Sequence, residues 1–128
     1  MSKKERILRY WLIFFLYMAS IFCLSAIPGN DFPSVKFAYA DSIAHFFEYT
    51  IFGILCFRAI KISYPELYPR GIVFCVILFS VVFALSDEFH QYFVPERLFQ
   101  IKDLVSDAFG SIFGMALYGK IKGDLWRR

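Results

Sequence analysis

Three short stretches of the chain concentrate side chains that could take part in acid–base chemistry or hold a cation. In the first, Asp41, His45 and Glu48 stand at positions i, i+4 and i+7, so an α-helix presents them on one face. The second stretch contains Asp87, Glu88, His90 and Gln91, and the third contains Asp103 and Asp107. Carboxylates beside an imidazole suit general acid–base catalysis, recognition of a polar ligand, or coordination of a divalent metal.

Each of these chemistries has its candidate residues. The candidate acid or base groups for catalysis are Glu48, His45 and Asp87. The candidate binding residues are Asp41, Tyr49, Glu88, His90, Gln91, Arg97, Asp103 and Asp107. Two histidines and several carboxylates could hold Zn²⁺ or Mn²⁺, but neither histidine stands in an H-x-x-x-H or H-E-x-x-H pattern. The sequence therefore identifies no metal ligands, and we expect no other cofactor, because no phosphate-binding glycine loop is present.

Some of these residues also have a purely structural interpretation. Asp41 and Asp103 stand where helices are predicted to begin, and an acid there caps the helix and complements its dipole. His45 could simply donate a hydrogen bond to a carboxylate on another helix. Gly110 and Gly114 form a GxxxG pattern, which is typical of close helix packing. The conjunction of these residues therefore indicates a site more strongly than any one of them does.

The chain that carries these residues is short and unusually apolar. It has 128 residues, of which 59% are hydrophobic, whereas a soluble domain is about 45–50% apolar. A chain of this length has too much surface for its volume to hide so many apolar side chains from water. The composition excludes an intrinsically disordered chain and favours a membrane protein over a small soluble domain.

Four apolar runs are each long enough to cross a bilayer as a helix. They cover residues 10–27, 42–60, 71–89 and 101–121. Because only helices and closed barrels satisfy the backbone in lipid, the predicted fold is an all-α polytopic membrane protein. We expect a single domain over residues 1–128, built as a four-transmembrane-helix bundle. The first run follows a basic start, and its length favours an uncleaved anchor over a secretory signal.

The charged residues predict how the bundle is oriented. Eleven of the fourteen basic residues fall at one end of the predicted spans: Lys3, Lys4, Arg6, Arg9, Arg58, Lys61, Arg70, Lys120, Lys122, Arg127 and Arg128. The positive-inside rule makes this end cytoplasmic, so both termini are predicted to lie inside a plasma membrane that the chain crosses several times. The net charge of +3 is small and forms no basic stripe, so nucleic acid is not an expected partner.

Two carboxylates are predicted to lie within the outer half of the membrane. Counting the helical rise places Glu48 and Asp107 roughly 6–10 Å below the outer border. A carboxylate facing lipid at that depth costs about 2–3 kcal/mol or more, so these two should face inward, pair, or hold a proton. We therefore expect the three polar faces to meet in an outward-opening pocket, with Arg97 and Lys102 as its counter-charges.

These residues resemble the VanZ-like family of small bacterial membrane proteins. Three blocks carry the resemblance: Asp41-x-x-x-His45-x-x-x-Tyr49, then Asp87-Glu88-x-x-Gln91 with Pro95 and Arg97, and then Asp103, a polar residue at 107, Gly110 and Gly114. The resemblance implies several membrane helices and a shared polar site at the outer face, without implying a reaction. The founding member of the family is associated with low-level resistance to the glycopeptide teicoplanin.

The chain departs from the family pattern at three positions. It has Asp107 where the family usually has Asn, Ser42 where the family has Lys or Arg, and Glu96 where the family has Gly. Together these differences make the expected pocket more acidic than the family pattern. The resemblance therefore does not carry over an anionic ligand.

Two functions follow as the leading hypotheses. In the first, the pocket binds a lipid head group or a lipid-linked envelope precursor, and the protein contributes to envelope function or glycopeptide tolerance. In the alternative, a membrane enzyme uses the same residues for acid–base chemistry on such a substrate, with or without a metal. A proton-linked carrier ranks last, because the inner halves of the spans offer no titratable path unless oligomers supply it. Membrane lipids are the expected partners in each case.

Overall fold

A computed structural model describes residues 1–31 and 39–122 of the chain. This part of the chain contains four long helices, which are α1 (Lys3–Ser25), α2 (Ala40–Ser63), α3 (Pro69–Gln91) and α4 (Ile101–Lys122), together with a short 3₁₀ turn at Gly29–Asp31. The described residues include no strand. The all-helical prediction with four helices is therefore confirmed.

Each helix is as long as its predicted span or longer, because charged residues at the membrane border continue the helix. The largest difference is at α1, which begins at Lys3 rather than at residue 10. Ser2 and Glu5 explain this early start. The Glu5 amide donates to Ser2 Oγ at 3.2 Å and the Ser2 amide donates to Glu5 Oε2 at 2.7 Å, which forms a capping box.

Of the described helices, α1, α2 and α3 are long and apolar enough to cross a membrane. In α4 the charges of Lys102, Asp103 and Asp107 in the first two turns lower the hydropathy. However, Asp103 and Asp107 are buried, whereas Phe109 and Phe113 on the same helix are exposed. Acids inside and phenylalanines outside are the arrangement that a lipid environment favours, so α4 also fits a membrane setting.

The helices alternate in direction along the bundle. Trp11 near the start of α1 donates to Ser63 Oγ at the end of α2, at 2.8 Å, so these helices are antiparallel. The connection of residues 64–68 turns the chain back into α3. Ser42 donates to Asp103 Oδ1 at 2.7 Å, which brings the starts of α2 and α4 together. The ends of α1 and α3 and the starts of α2 and α4 thus form one end of the bundle, which we call the polar end.

The basic residues lie at the opposite end. Those within the described residues are at the start of α1, the end of α2, the start of α3 and the end of α4: Lys3, Lys4, Arg6, Arg9, Arg58, Lys61, Arg70, Lys120 and Lys122. Arg127 and Arg128 lie outside the described residues. The predicted grouping of basic residues at one end of the bundle is therefore present in the described part of the fold.

The closest helix contact in the bundle joins α2 to α4, and glycines make it possible. A Cβ added to Gly110 would collide with the backbone carbonyl of Phe46, and one added to Gly114 would collide with that of Thr50. Gly53 of α2 makes the reciprocal approach to the backbone of α4. The interpretation of the GxxxG pattern as helix packing is thus confirmed, and this packing fixes the polar side chains of α2 against those of α4.

Aromatic rings fill the bundle beneath the polar end. The rings of Phe14 and Phe52 lie 5.0 Å apart, those of Tyr49 and Phe52 lie 5.2 Å apart, and those of Phe52 and Phe83 lie 5.6 Å apart. Phe14, Tyr49 and Phe52 have no exposed surface at all. This dense aromatic layer forms an apolar floor under the polar side chains.

Candidate functional site

The polar end encloses a cavity of about 570 Å³. All four helices and the connection between α3 and α4 contribute to its wall. Seven of the predicted site residues line it: Asp41, His45, Glu48, Asp87, Gln91, Arg97 and Asp103. The faces that the helical spacing predicts for α2, α3 and α4 thus meet around one space.

His45 and Asp107 form the shortest link between the polar faces of α2 and α4. His45 Nδ1 lies 2.9 Å from Asp107 Oδ1, and Asp107 is only 1% exposed. Because a carboxylate accepts hydrogen bonds, it favours the tautomer with the proton on Nδ1 and leaves Nε2 with a lone pair. This arrangement allows His45 to accept a proton or to bind a cation, and it corresponds to the structural pairing that the sequence also allowed.

Two further buried carboxylates lie beside this pair. Asp103 Oδ1 accepts the hydroxyl of Ser42 at 2.7 Å, and Glu88 Oε2 accepts the backbone amide of Gln100 at 3.0 Å. Asp103 and Glu88 are 3% and 1% exposed, respectively. Asp103 lies in the first turn of α4, where it complements the helix dipole, and its side chain hydrogen-bonds across to α2 instead of capping its own helix.

Asp87 joins the end of α3 to the end of α1. Its Oδ1 accepts the hydroxyl of Ser25 at 2.6 Å, and its Oδ2 accepts the Gln91 amide at 3.0 Å. Asp87 is 2% exposed although it lines the cavity. Ser25 also lines the cavity, and the sequence reasoning missed it because the part of α1 at the polar end carries no charged residue.

The rim of the cavity is more exposed than its wall. Asp41 is exposed at the start of α2, and Glu48 is half-buried about two turns further along the same face. Lys102, predicted as a counter-charge, is exposed and does not line the cavity. Arg97 is half-buried and does line it, so Arg97 is the predicted counter-charge that the fold brings to the site.

The connection that carries Arg97 is fixed to the end of α1. Arg97 Nε donates to the carbonyl of Ile27 at 3.2 Å, and the Gly29 amide donates to the carbonyl of Pro95 at 3.2 Å. Glu96 has a φ of 61°, in the left-handed region that costs a residue with a Cβ about 1–2 kcal/mol. This backbone conformation gives a physical reason for the glycine of the family pattern at this position.

Four predicted site residues do not line the cavity. Tyr49 is fully buried in the aromatic floor, and its hydroxyl has no hydrogen-bond partner among the described residues. His90 stacks on Phe22 with the ring centroids 4.1 Å apart. The other two, Glu88 and Asp107, lie behind the wall and contact residues that form it. Tyr49 and His90 are therefore not positioned to contact a ligand in the cavity directly.

Comparison with known proteins places the chain in a family. The model of the VanZ/LLP1 family matches residues 3–122. Searches of curated proteins and of solved structures found no significant match. The matched range includes all four helices and every residue of the cavity wall, in agreement with the resemblance seen in the three polar blocks. The chain therefore belongs to the VanZ/LLP1 family.

Proposed function

We propose that the protein resides in a bacterial plasma membrane, where its cavity binds the head group of an envelope lipid or lipid-linked precursor and so contributes to envelope function. The observation that carries this proposal is the composition of the cavity wall. Carboxylates, a guanidinium group and apolar side chains surround one space at the end of a helix bundle. A ligand that is polar at one end and apolar at the other matches such a wall.

The wall also indicates which head groups fit. Arg97 suits a phosphate, because a guanidinium group forms charge-assisted hydrogen bonds with phosphate oxygens. Glu48 and Asp87 suit an ammonium group or sugar hydroxyls. Ile21 and Leu24 line the cavity on the α1 side and suit the first methylene groups of a lipid tail. Together these groups favour a head group that carries a phosphate and an amino or hydroxyl-rich portion.

The proposed orientation places the polar end outside and both termini in the cytoplasm, as the distribution of basic residues favours. We expect a peptide tag at the C-terminus to be inaccessible to a protease added to intact cells and to become accessible after the membrane is opened. A cysteine that replaces Asp41 should show the reverse behaviour, because a labelling reagent added to intact cells should reach it. Cleavage of the C-terminal tag by the protease in intact cells would contradict this orientation.

Lipid binding is testable by native mass spectrometry of the full chain in detergent. We expect the wild-type protein to retain phosphatidylethanolamine, and Arg97→Gln to weaken this binding about 10–100-fold, because a hydrogen bond to a charged group contributes about 1.5–3 kcal/mol. Arg70→Gln is the matched control, since Arg70 is an exposed arginine at the opposite end of the bundle.

The proposal fails if no lipid is retained, or if Arg97→Gln and Arg70→Gln retain it equally. A parallel titration with phosphatidylglycerol distinguishes a requirement for the amino group from a requirement for phosphate alone. We also propose that expressing the wild-type chain raises the teicoplanin tolerance of cells, and we expect this rise to be lost with Arg97→Gln and kept with Arg70→Gln.

A further inference from the structure

Three buried side chains from three different helices converge beside the cavity. His45 of α2, Glu88 of α3 and Asp103 of α4 each offer one nitrogen or oxygen atom, and these atoms lie within 4.8 Å of one another. Three ligand atoms grouped in this way could hold a single metal ion. The sequence did not indicate this set, because its members come from distant positions with no metal-binding spacing between them.

One of the three groups has an oxygen atom with no hydrogen-bond partner. Glu88 is 1% exposed, and its Oε2 accepts the Gln100 amide. Its Oε1 is buried and has no hydrogen-bond partner among the described residues. A buried polar atom without a hydrogen-bond partner is unfavourable, and a bound water or ion is a common reason for finding one in a native fold. A bound cation would supply the missing partner.

The surrounding groups orient all three side chains. Asp107 holds Nδ1 of His45, which leaves Nε2 for a metal, and Ser42 holds Oδ1 of Asp103, which leaves Oδ2. Glu88 is held through Oε2, which leaves Oε1. Metal sites in proteins commonly have this second set of contacts, in which a carboxylate or hydroxyl fixes the far side of each ligand.

We propose that His45, Glu88 and Asp103 form a binding site for a divalent cation, with Zn²⁺ as the ion that fits best. One imidazole and two carboxylates suit Zn²⁺ and Mn²⁺ better than Mg²⁺, which prefers oxygen ligands and retains its waters. The two carboxylates neutralise the charge of the ion. His45 and Asp103 also line the cavity, so a fourth coordination position would open towards it. This site does not depend on the proposed lipid binding.

The test is titration of the full chain, purified in detergent and treated with chelator, with Zn²⁺ alone in a calorimeter. We expect one Zn²⁺ per chain and a rise in melting temperature with added Zn²⁺. Glu88→Gln removes a ligand and should weaken binding more than about 100-fold. Ser42→Ala removes only a supporting hydroxyl and should weaken it about 10–100-fold. Glu66→Gln is the control, because Glu66 is an exposed acid between α2 and α3.

Several results would overturn the proposal. The proposal is overturned if the wild-type protein binds neither one Zn²⁺ nor one Mn²⁺ per chain. The proposal would also be overturned if Ser42→Ala and Glu88→Gln bound Zn²⁺ as tightly as Glu66→Gln does. Ser42→Ala keeps the test decisive if Glu88→Gln fails to fold, since it leaves every buried charge in place. Parallel titrations with Mn²⁺ and Mg²⁺ should give tighter binding for Mn²⁺, and tighter binding of Mg²⁺ would contradict the imidazole ligand.

Discussion

Replacing Gly114 with alanine is expected to lower the free energy of unfolding by about 1–3 kcal/mol. The new Cβ would overlap the backbone carbonyl of Thr50, and backbone cannot rotate aside as the end of a side chain can. The helices α2 and α4 would therefore have to separate, which also disturbs the contacts between their polar faces. Reversible unfolding in mixed micelles of mild detergent and SDS, followed by circular dichroism, measures the change.

Gly71→Ala is the matched control for this prediction. A Cβ at Gly71 would meet only the end of the flexible Leu67 side chain, which can move away. Alanine is also the better helix former by about 1 kcal/mol, so this variant should be as stable as the wild type or slightly more stable. If Gly114→Ala unfolds at the same SDS fraction as Gly71→Ala, the close approach of α4 to α2 is contradicted.

Replacing Asp107 with leucine is the second change for which we expect a large effect, about 1–3 kcal/mol of stability lost. Leucine leaves the Nδ1–H of His45 buried without an acceptor. Asp107→Asn is the control, because asparagine keeps an oxygen at the same distance along the side chain and is the residue of the family pattern. We therefore expect Asp107→Asn to retain most of the wild-type stability in the same unfolding measurement.

A double-mutant cycle shows whether the effect acts through His45. In a His45→Leu background the donor is absent, so Asp107→Leu should cost much less than it does in the wild type. Equal costs in the two backgrounds would mean that the two side chains are not coupled. The cycle thus separates loss of this hydrogen bond from a general effect of altering the interior.

The sequence predicted which faces would be polar but not which side chains would meet. Helical spacing placed His45 on one face of its helix and Asp107 on one face of another. The order of four spans already implies that α2 and α4 run in the same direction, but it does not specify that these two helices pack side by side, which the pairing requires. Ser25 and Ser42 were missed as partners of carboxylates because a lone serine carries no charge that distinguishes it from other serines in apolar runs.

The prediction for Tyr49 shows a different limit. Its position one turn beyond His45 suggested that it would reach the same ligand. In the fold, the Tyr49 ring packs onto Phe52 and belongs to the layer beneath the cavity. Periodicity gives the direction of a side chain around its helix, but the depth at which a cavity ends depends on how the rings of neighbouring helices fill the interior. That depth is a property of packing, so spacing along one helix could not provide it.

The glycine contact between α2 and α4 has a mechanical consequence for the cavity. These two helices hold each other along their backbones, whereas only 11% of the most apolar part of α1 is buried within the protein. The end of α1 is joined to the site by a few individual contacts, among them the hydrogen bonds of Ser25 and of the Ile27 carbonyl. The less tightly packed boundary of the cavity is therefore the α1 side, which also carries Ile21 and Leu24. A bulky amphiphile would widen the cavity sideways, towards the surrounding acyl chains, while the α2–α4 wall stays in register.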